Sequence, residues 1–199
     1  MKKFITGLVL LLSLSVSAQK KQYISFAFTD NASAFPFGKF AGFFNEPVHA
    51  GFEFGWGHVK EKNKHDWFWE LKAGYFYHQF VQNGIPIYAT GGYRYRIVKH
   101  FSADVSLGVG YFHSIATTAV LKQNSSGEYV NAKGIGRPQV MVPFTLGANY
   151  DFNWNNTQQG RIFLEYQQRL QAPFVNSYVP ILPYNQLAIG CAYYLPGKK

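Results

Sequence analysis

Apolar and polar residues alternate with a period of two along most of this chain, the mark of strands whose two faces meet different surroundings. In the run 101–119, Phe101, Ala103, Val105, Leu107, Val109 and Tyr111 share one face, and Ser102, Asp104, Ser106, Gly108 and Gly110 share the other. In the run 66–80, Trp67, Trp69, Leu71, Ala73, Tyr75 and Tyr77 oppose Asp66, Glu70, Lys72, Gly74 and His78. Eight such runs emerge, at 22–30, 47–60, 66–80, 86–98, 101–119, 138–152, 161–172 and 185–195. Pro143 lies on the polar face of the sixth run and cannot donate to a ladder, so a local bulge is expected there.

The spacers alternate in character. Segments 31–46, 81–85, 120–137 and 173–184 fall at one end, and 61–65, 99–100 and 153–160 at the other. An even number of strands with short turns at one end and longer loops at the other is the layout of bacterial outer-membrane barrels, whose termini face the periplasm. The predicted fold is all-β: an eight-stranded antiparallel up-and-down transmembrane β-barrel. Aromatics gather at the run ends. Trp56, Trp67, Trp69, Tyr95, Tyr150 and Tyr193 are expected at the periplasmic interface, and Tyr75, Tyr77 and Tyr111 towards the outer one.

Composition supports this sidedness. Only 15% of residues are charged, against about 25% in ordinary soluble domains, and 19% are aromatic. A soluble eight-stranded barrel of the lipocalin kind would turn its charges outward, and so few charges could barely coat it. Lys2 and Lys3, the apolar stretch Phe4 to Val16, and the small residues Val16-Ser17-Ala18 read as a cleaved signal peptide over residues 1–18, with the barrel domain at 19–199. The apolar stretch is too short for a membrane helix, which takes about 20 residues. The net charge of +9 comes with no nucleic-acid motif, so no nucleic-acid partner is expected. The basic balance suits phosphate headgroups instead.

The polar face carries Glu53, Glu70, Asp104 and Glu165 with Lys72, Arg94, Arg96 and Arg169. A three-residue turn at 98–100 sets Ile97 opposite Phe101 and Arg94 opposite Asp104. With 81–85 as the preceding loop, Glu70 falls opposite Arg96 and Lys72 opposite Arg94. Glu70, Lys72, Arg94, Arg96 and Asp104 are thus expected to meet inside the barrel, with Glu53 and Glu165 extending the network. An eight-stranded interior is just wide enough for side chains, and buried charges must be paired. The inward rings of Phe68, Phe76, Tyr88, Phe112, Phe163 and Tyr194 argue for a plugged core over an open path.

His49 and His78 point inward near the outer mouth, and the hairpin through 61–65 sets them side by side. With Glu53 one strand-repeat below, they fall short of the full ligand set of a metal site, so no metal or cofactor is expected. The segment Pro173 to Pro183, with Phe174, Tyr178 and Tyr184, is read as a rigid loop capping that mouth. Cys191 is read as a small lipid-facing residue in the last strand.

Two resemblances bear on function. His113-Ser114 is similar to the His and Ser of lipid A deacylases, which are also eight-stranded outer-membrane barrels. That family spaces the pair His-x-Ser on one face, whereas adjacent residues point to opposite faces, so the catalytic roles are not carried over. The last strand, through Gly190, Tyr193 and Leu195, resembles the C-terminal assembly signal of outer-membrane barrels. Ala188 stands where that signal has a polar residue, and Pro196-Gly197-Lys198-Lys199 extends past it. The resemblance implies outer-membrane lipid (lipopolysaccharide and phospholipid) and the barrel assembly machinery as partners of a monomer. The expected function is a structural or surface ligand-binding barrel without catalysis. The alternatives are a lipid-modifying enzyme of the deacylase kind and a narrow ion or small-solute channel.

Overall fold

The computed structural model describes residues 20–33, 47–62, 64–154, 158–174 and 180–196. The predicted signal peptide at 1–18 and Tyr178 lie outside the described residues. The strands are β1 (Lys20–Ser33), β2 (Ala50–Lys62), β3 (His65–Tyr77), β4 (Gln82–Arg96), β5 (Phe101–Ala116), β6 (Leu121–Gln123), β7 (Tyr129–Asn131), β8 (Arg137–Trp154), β9 (Gln158–Ala172) and β10 (Leu182–Tyr194). All but β6 and β7 join into one closed antiparallel barrel, in which each strand pairs with its neighbours in sequence and β10 returns to β1. No helix among the described residues is long and apolar enough to cross a membrane.

Closure fixes the tilt. The row of directly paired residues that starts at Gln22 runs through His58, Trp69, Gly91, Leu107, Phe144, Gln168 and Asn185. It returns to β1 at Ala32, ten residues further along the strand. A stagger of that kind is what lets a twisted sheet close on itself with strands inclined at about 35–45°.

The outward face is the apolar one. Phe28 is 66% exposed and Leu107 60%, while Arg169 is 0% and Glu70 3%. Water would not tolerate that arrangement, and a bilayer requires it. Trp56, Trp67, Trp69, Tyr95, Tyr150 and Tyr193 are all exposed around the end that holds the short turns, and Tyr75, Tyr77 and Tyr111 are exposed towards the other. Cys191 is also exposed on this outer surface.

Several predicted details are corrected. The β3–β4 connection is 78–81, not 81–85: His78 N donates to the Gln82 carbonyl at 3.0 Å, and β4 begins at Gln82. Gly84 and Pro86 therefore lie within a strand. The Phe76 ring occupies the place that a side chain at Gly84 would take. The loop 120–137 is not strandless, because β6 and β7 form a hairpin. Its turn is built by the Asn124 side chain, whose Oδ1 accepts from the backbone N–H of Ser126 and Glu128, and by Gly127 at φ 85°. Three-residue arms are too short to show a period. Pro183 and Tyr184 belong to β10, so the last loop is shorter than predicted. Pro143 makes no bulge: β5 and β8 keep one register from Leu107↔Phe144 to Gly110↔Met141. The register sets Gly108 opposite Pro143, and its missing side chain leaves room for the proline ring.

Leu107 sits midway along this lipid-facing wall. Leu107→Arg is expected to destabilise the barrel by about 2–4 kcal/mol, read from reversible urea unfolding in lipid vesicles. Arginine at exposed Lys122, in the β6–β7 hairpin, should leave the midpoint unchanged.

Candidate functional site: the barrel lumen and its mouths

Inward side chains fill the lumen in layers. Towards the short-turn end, Tyr23, Val59, Phe163 and Tyr194 pack together with Phe68 against them. Towards the long-loop end, Phe76, Tyr88, Phe112, Met141 and Tyr184 form a second apolar cluster. The strand register places the ionised and amide side chains Glu53, Glu70, Lys72, Glu165 and Gln167 between the two, and all but Glu165 are under 9% exposed.

The central layer is tied across the lumen. Lys72 Nζ on β3 reaches Glu165 Oε2 on β9 at 2.7 Å and Glu70 Oε2 at 3.7 Å. Arg169 on β9 pairs with Glu53 on β2 at 3.6 Å. Glu53 also accepts a 2.9 Å hydrogen bond from the Tyr88 hydroxyl, which in turn accepts from Gln167 Nε2 at 3.0 Å. Ser25 on β1 donates to Glu70. These contacts form two sets, one joining β1, β3 and β9 through Ser25, Glu70, Lys72 and Glu165, the other joining β2, β4 and β9 through Glu53, Tyr88, Gln167 and Arg169. Such contacts stabilise only as a set, because one buried charge left alone is very costly.

This network differs from the one that the sequence predicts. Arg94 does stand opposite Asp104, bonded Nε to Oδ2 at 3.2 Å. Glu70, however, faces Thr90, and Lys72 faces Tyr88. The cause is the position of the β3–β4 turn. Moving it slides β4 by six residues, an even number, so every side chain keeps its face and changes its partner. Arg94 instead stands opposite Asp66, lies over the Phe68 ring, and shares Asp104 with Asn149. Arg96 leaves the cluster altogether. It sits 32% exposed at the short-turn mouth, paired with Asp66 at 3.0 Å and Glu61 at 3.4 Å.

Sequence reasoning passed over several lumen residues. Arg161 is 3% exposed, yet no carboxylate of the described residues lies within ion-pair distance. Its guanidinium lies against the rings of Tyr23, Phe163 and Tyr194 at 5.0, 5.9 and 5.8 Å, and it donates to the Tyr194 hydroxyl. Desolvated contacts of this kind contribute up to about 2 kcal/mol. Its period-two spacing from Glu165 and Arg169 was a usable signal. Gln82 and Gln171, hydrogen-bonded across the lumen at 3.0 Å, with Ser114 donating to Gln82, cover the upper apolar cluster. No motif points to them.

At the long-loop mouth the rings of His49 and His78 are stacked, with centroids 3.6 Å apart and planes 9° from parallel. Backbone contacts hold them there. His49 N donates to Asp30 Oδ1 at 2.8 Å, and the His78 carbonyl accepts from Thr117 Oγ1 at 3.2 Å. No group of three or more His, Cys, Asp or Glu among the described residues is arranged to hold a metal ion. Tyr184, predicted as a loop residue over this mouth, is instead fully buried in the lumen, edge-on to His78. His113 and Ser114 diverge. His113 turns outward to the Tyr111 hydroxyl and the Ile135 carbonyl, and Ser114 turns inward to Gln82.

No protein-family model matches the sequence, and no curated protein matches it. Solved structures do. The chain is similar to Neisserial surface protein A, with a TM-score of 0.51 and 10% identity over 88% of this chain and 97% of that one. Weaker likenesses are to Ail, the attachment invasion locus protein of Yersinia pestis (TM-score 0.44, 13% identity, 90% and 100% covered), and to the outer membrane enzyme PagL (TM-score 0.44, 8% identity, 88% and 99% covered). At such identities the likeness is one of fold: the chain has the architecture of the small eight-stranded outer-membrane β-barrels.

The pair Lys72–Glu165 generates a double-mutant test. Lys72→Met alone strands Glu165 in the lumen and is expected to cost about 3–5 kcal/mol. Lys72→Met with Glu165→Met should recover most of that loss. Equal loss in the single and double variants, measured by urea unfolding, would show that the pair is not coupled.

Proposed function

We propose that this protein is an integral outer-membrane barrel of a Gram-negative bacterium, with its short-turn end and both termini in the periplasm. Its role in this reading is structural or surface ligand binding, without catalysis or transport. The observation that carries the reading is the filled lumen: two aromatic layers with a cross-bonded ionic layer between them. A solute would have to displace side chains as large as Arg169, Tyr88 and Tyr184, all under 2% exposed. The long-loop end, by contrast, offers a surface for ligands. Its β6–β7 hairpin stands clear of the barrel, with Tyr129 70% exposed and Ile135 89% exposed just beyond it.

The same reading makes lipopolysaccharide and phospholipid the surrounding partners and has the last strand present itself to the barrel assembly machinery. A closed sheet offers no edge for another chain, which favours a monomer. The deacylase-like alternative needs an imidazole touching a serine hydroxyl, and His113 and Ser114 point to opposite faces.

Planar-bilayer recording tests this. The folded protein is expected to give no stable conductance step. Large, long-lived steps would make it a pore. Lipid A mass spectra from cells with and without the protein should coincide, and a lost acyl chain would make it an enzyme.

A further inference from the structure

At the short-turn rim, the segment Lys60-Glu61-Lys62 continues the strand alternation of β2. Glu61 turns inward and is consumed by Lys21 and Arg96. Lys60 and Lys62 turn outward and are exposed, and Lys64 follows them, exposed, in the β2–β3 turn. No carboxylate of the described residues pairs with these three lysines.

Directly towards the membrane from these lysines lies an aromatic shelf. Trp67 is the cross-strand partner of both Lys60 and Tyr93, and it packs edge-on to Tyr93 with centroids 5.2 Å apart. Above the shelf the barrel wall is indented. Gly91 carries no side chain between Trp69 and Leu107, and a Cβ placed there meets nothing within 4 Å. A groove of about 470 Å³ opens there, with Trp67, Tyr93, Val105, Leu107 and Phe144 among its walls. Cation, amphipathic ring and apolar groove thus follow one another in the order of phosphate, glycerol and acyl chain in a phospholipid. Two strand spacings of about 4.8 Å and one residue pair along the strand separate Lys60 from Gly91, well within the reach of one lipid molecule.

We propose that this face of β2, β3 and β4 is a binding site for one anionic phospholipid of the leaflet at the short-turn end, with Lys60, Lys62 and Lys64 on its phosphate and Gly91 seating an acyl chain. The site rests on the membrane placement proposed above but not on which end faces the periplasm. Charge selects the anionic headgroup, and the groove distinguishes a built site from a general basic attraction.

The test uses full-length mature protein folded into phosphatidylcholine vesicles, with insertion checked by the heat-dependent shift of its band on a gel. Chain-brominated phosphatidylglycerol or chain-brominated phosphatidylcholine is then titrated in, and tryptophan quenching is read. Phosphatidylglycerol is expected to quench at the lower mole fraction, with a preference that falls by roughly fivefold for each lysine removed at low salt. Lys60→Gln with Lys62→Gln and Lys64→Gln should abolish the preference. Gly91→Leu, which the open space tolerates, should reduce quenching by both lipids. Inorganic phosphate at millimolar concentration should leave the preference intact. Equal quenching by the two lipids, a preference that survives the triple variant, or unchanged quenching in Gly91→Leu each overturns the site. Loss of the preference to inorganic phosphate would make it a free-anion site. Failure of the wild-type chain to insert would overturn the membrane placement and the site together.

Discussion

The structure depends on one constraint: no backbone N–H or C=O can go unpaired in hydrocarbon. Eight strands satisfy it only by closing on themselves, so the pairing of β1 with β10 matters as much as any hairpin. Closure with a ten-residue stagger commits each strand to a tilt. The tilt commits residues far apart in the chain to one depth in the lumen, and this is how Lys72 comes to meet Glu165 and Glu53 to meet Arg169.

A barrel of this size has no spare interior. Once the strands close, the inward positions must be filled by side chains that fit one another in shape and charge. This chain does so with rings near each end and an ionic layer between them. The rings exclude solvent from the charges, which strengthens each pair and raises the cost of breaking any one. Glycines make the rings possible: at Gly92 the Phe68 ring lies where a side chain would be, and at Gly190 the Phe163 ring does the same. The central charges are best understood as internal cross-bracing between opposite walls. Function is then left to the outer wall, the rims and the loops.

The two ends of the barrel are chemically unlike. At the short-turn end, carboxylates turn in and are paired by Arg96 and Lys21, while Lys60 and Lys62 turn out without such partners. At the long-loop end, the mouth is closed by neutral amides and a stacked imidazole pair, with the exposed β6–β7 hairpin beyond. The first arrangement suits a headgroup region rich in phosphate, and the second suits recognition of something larger.

Alternation by itself determined which residues face lipid, how many strands close the barrel, and that the lumen holds balanced charge. Each of these follows from a side-chain period of two and survives any even slip of register. Partners do not survive such a slip. A six-residue slide of β4 along β3 kept Glu70, Lys72 and Arg94 on the right face and gave Glu70 and Lys72 the wrong neighbours. Contacts across the lumen, such as Gln82 with Gln171, lie further out of reach. They depend on stagger and tilt around the whole circumference, a property of the closed sheet that no single strand contains.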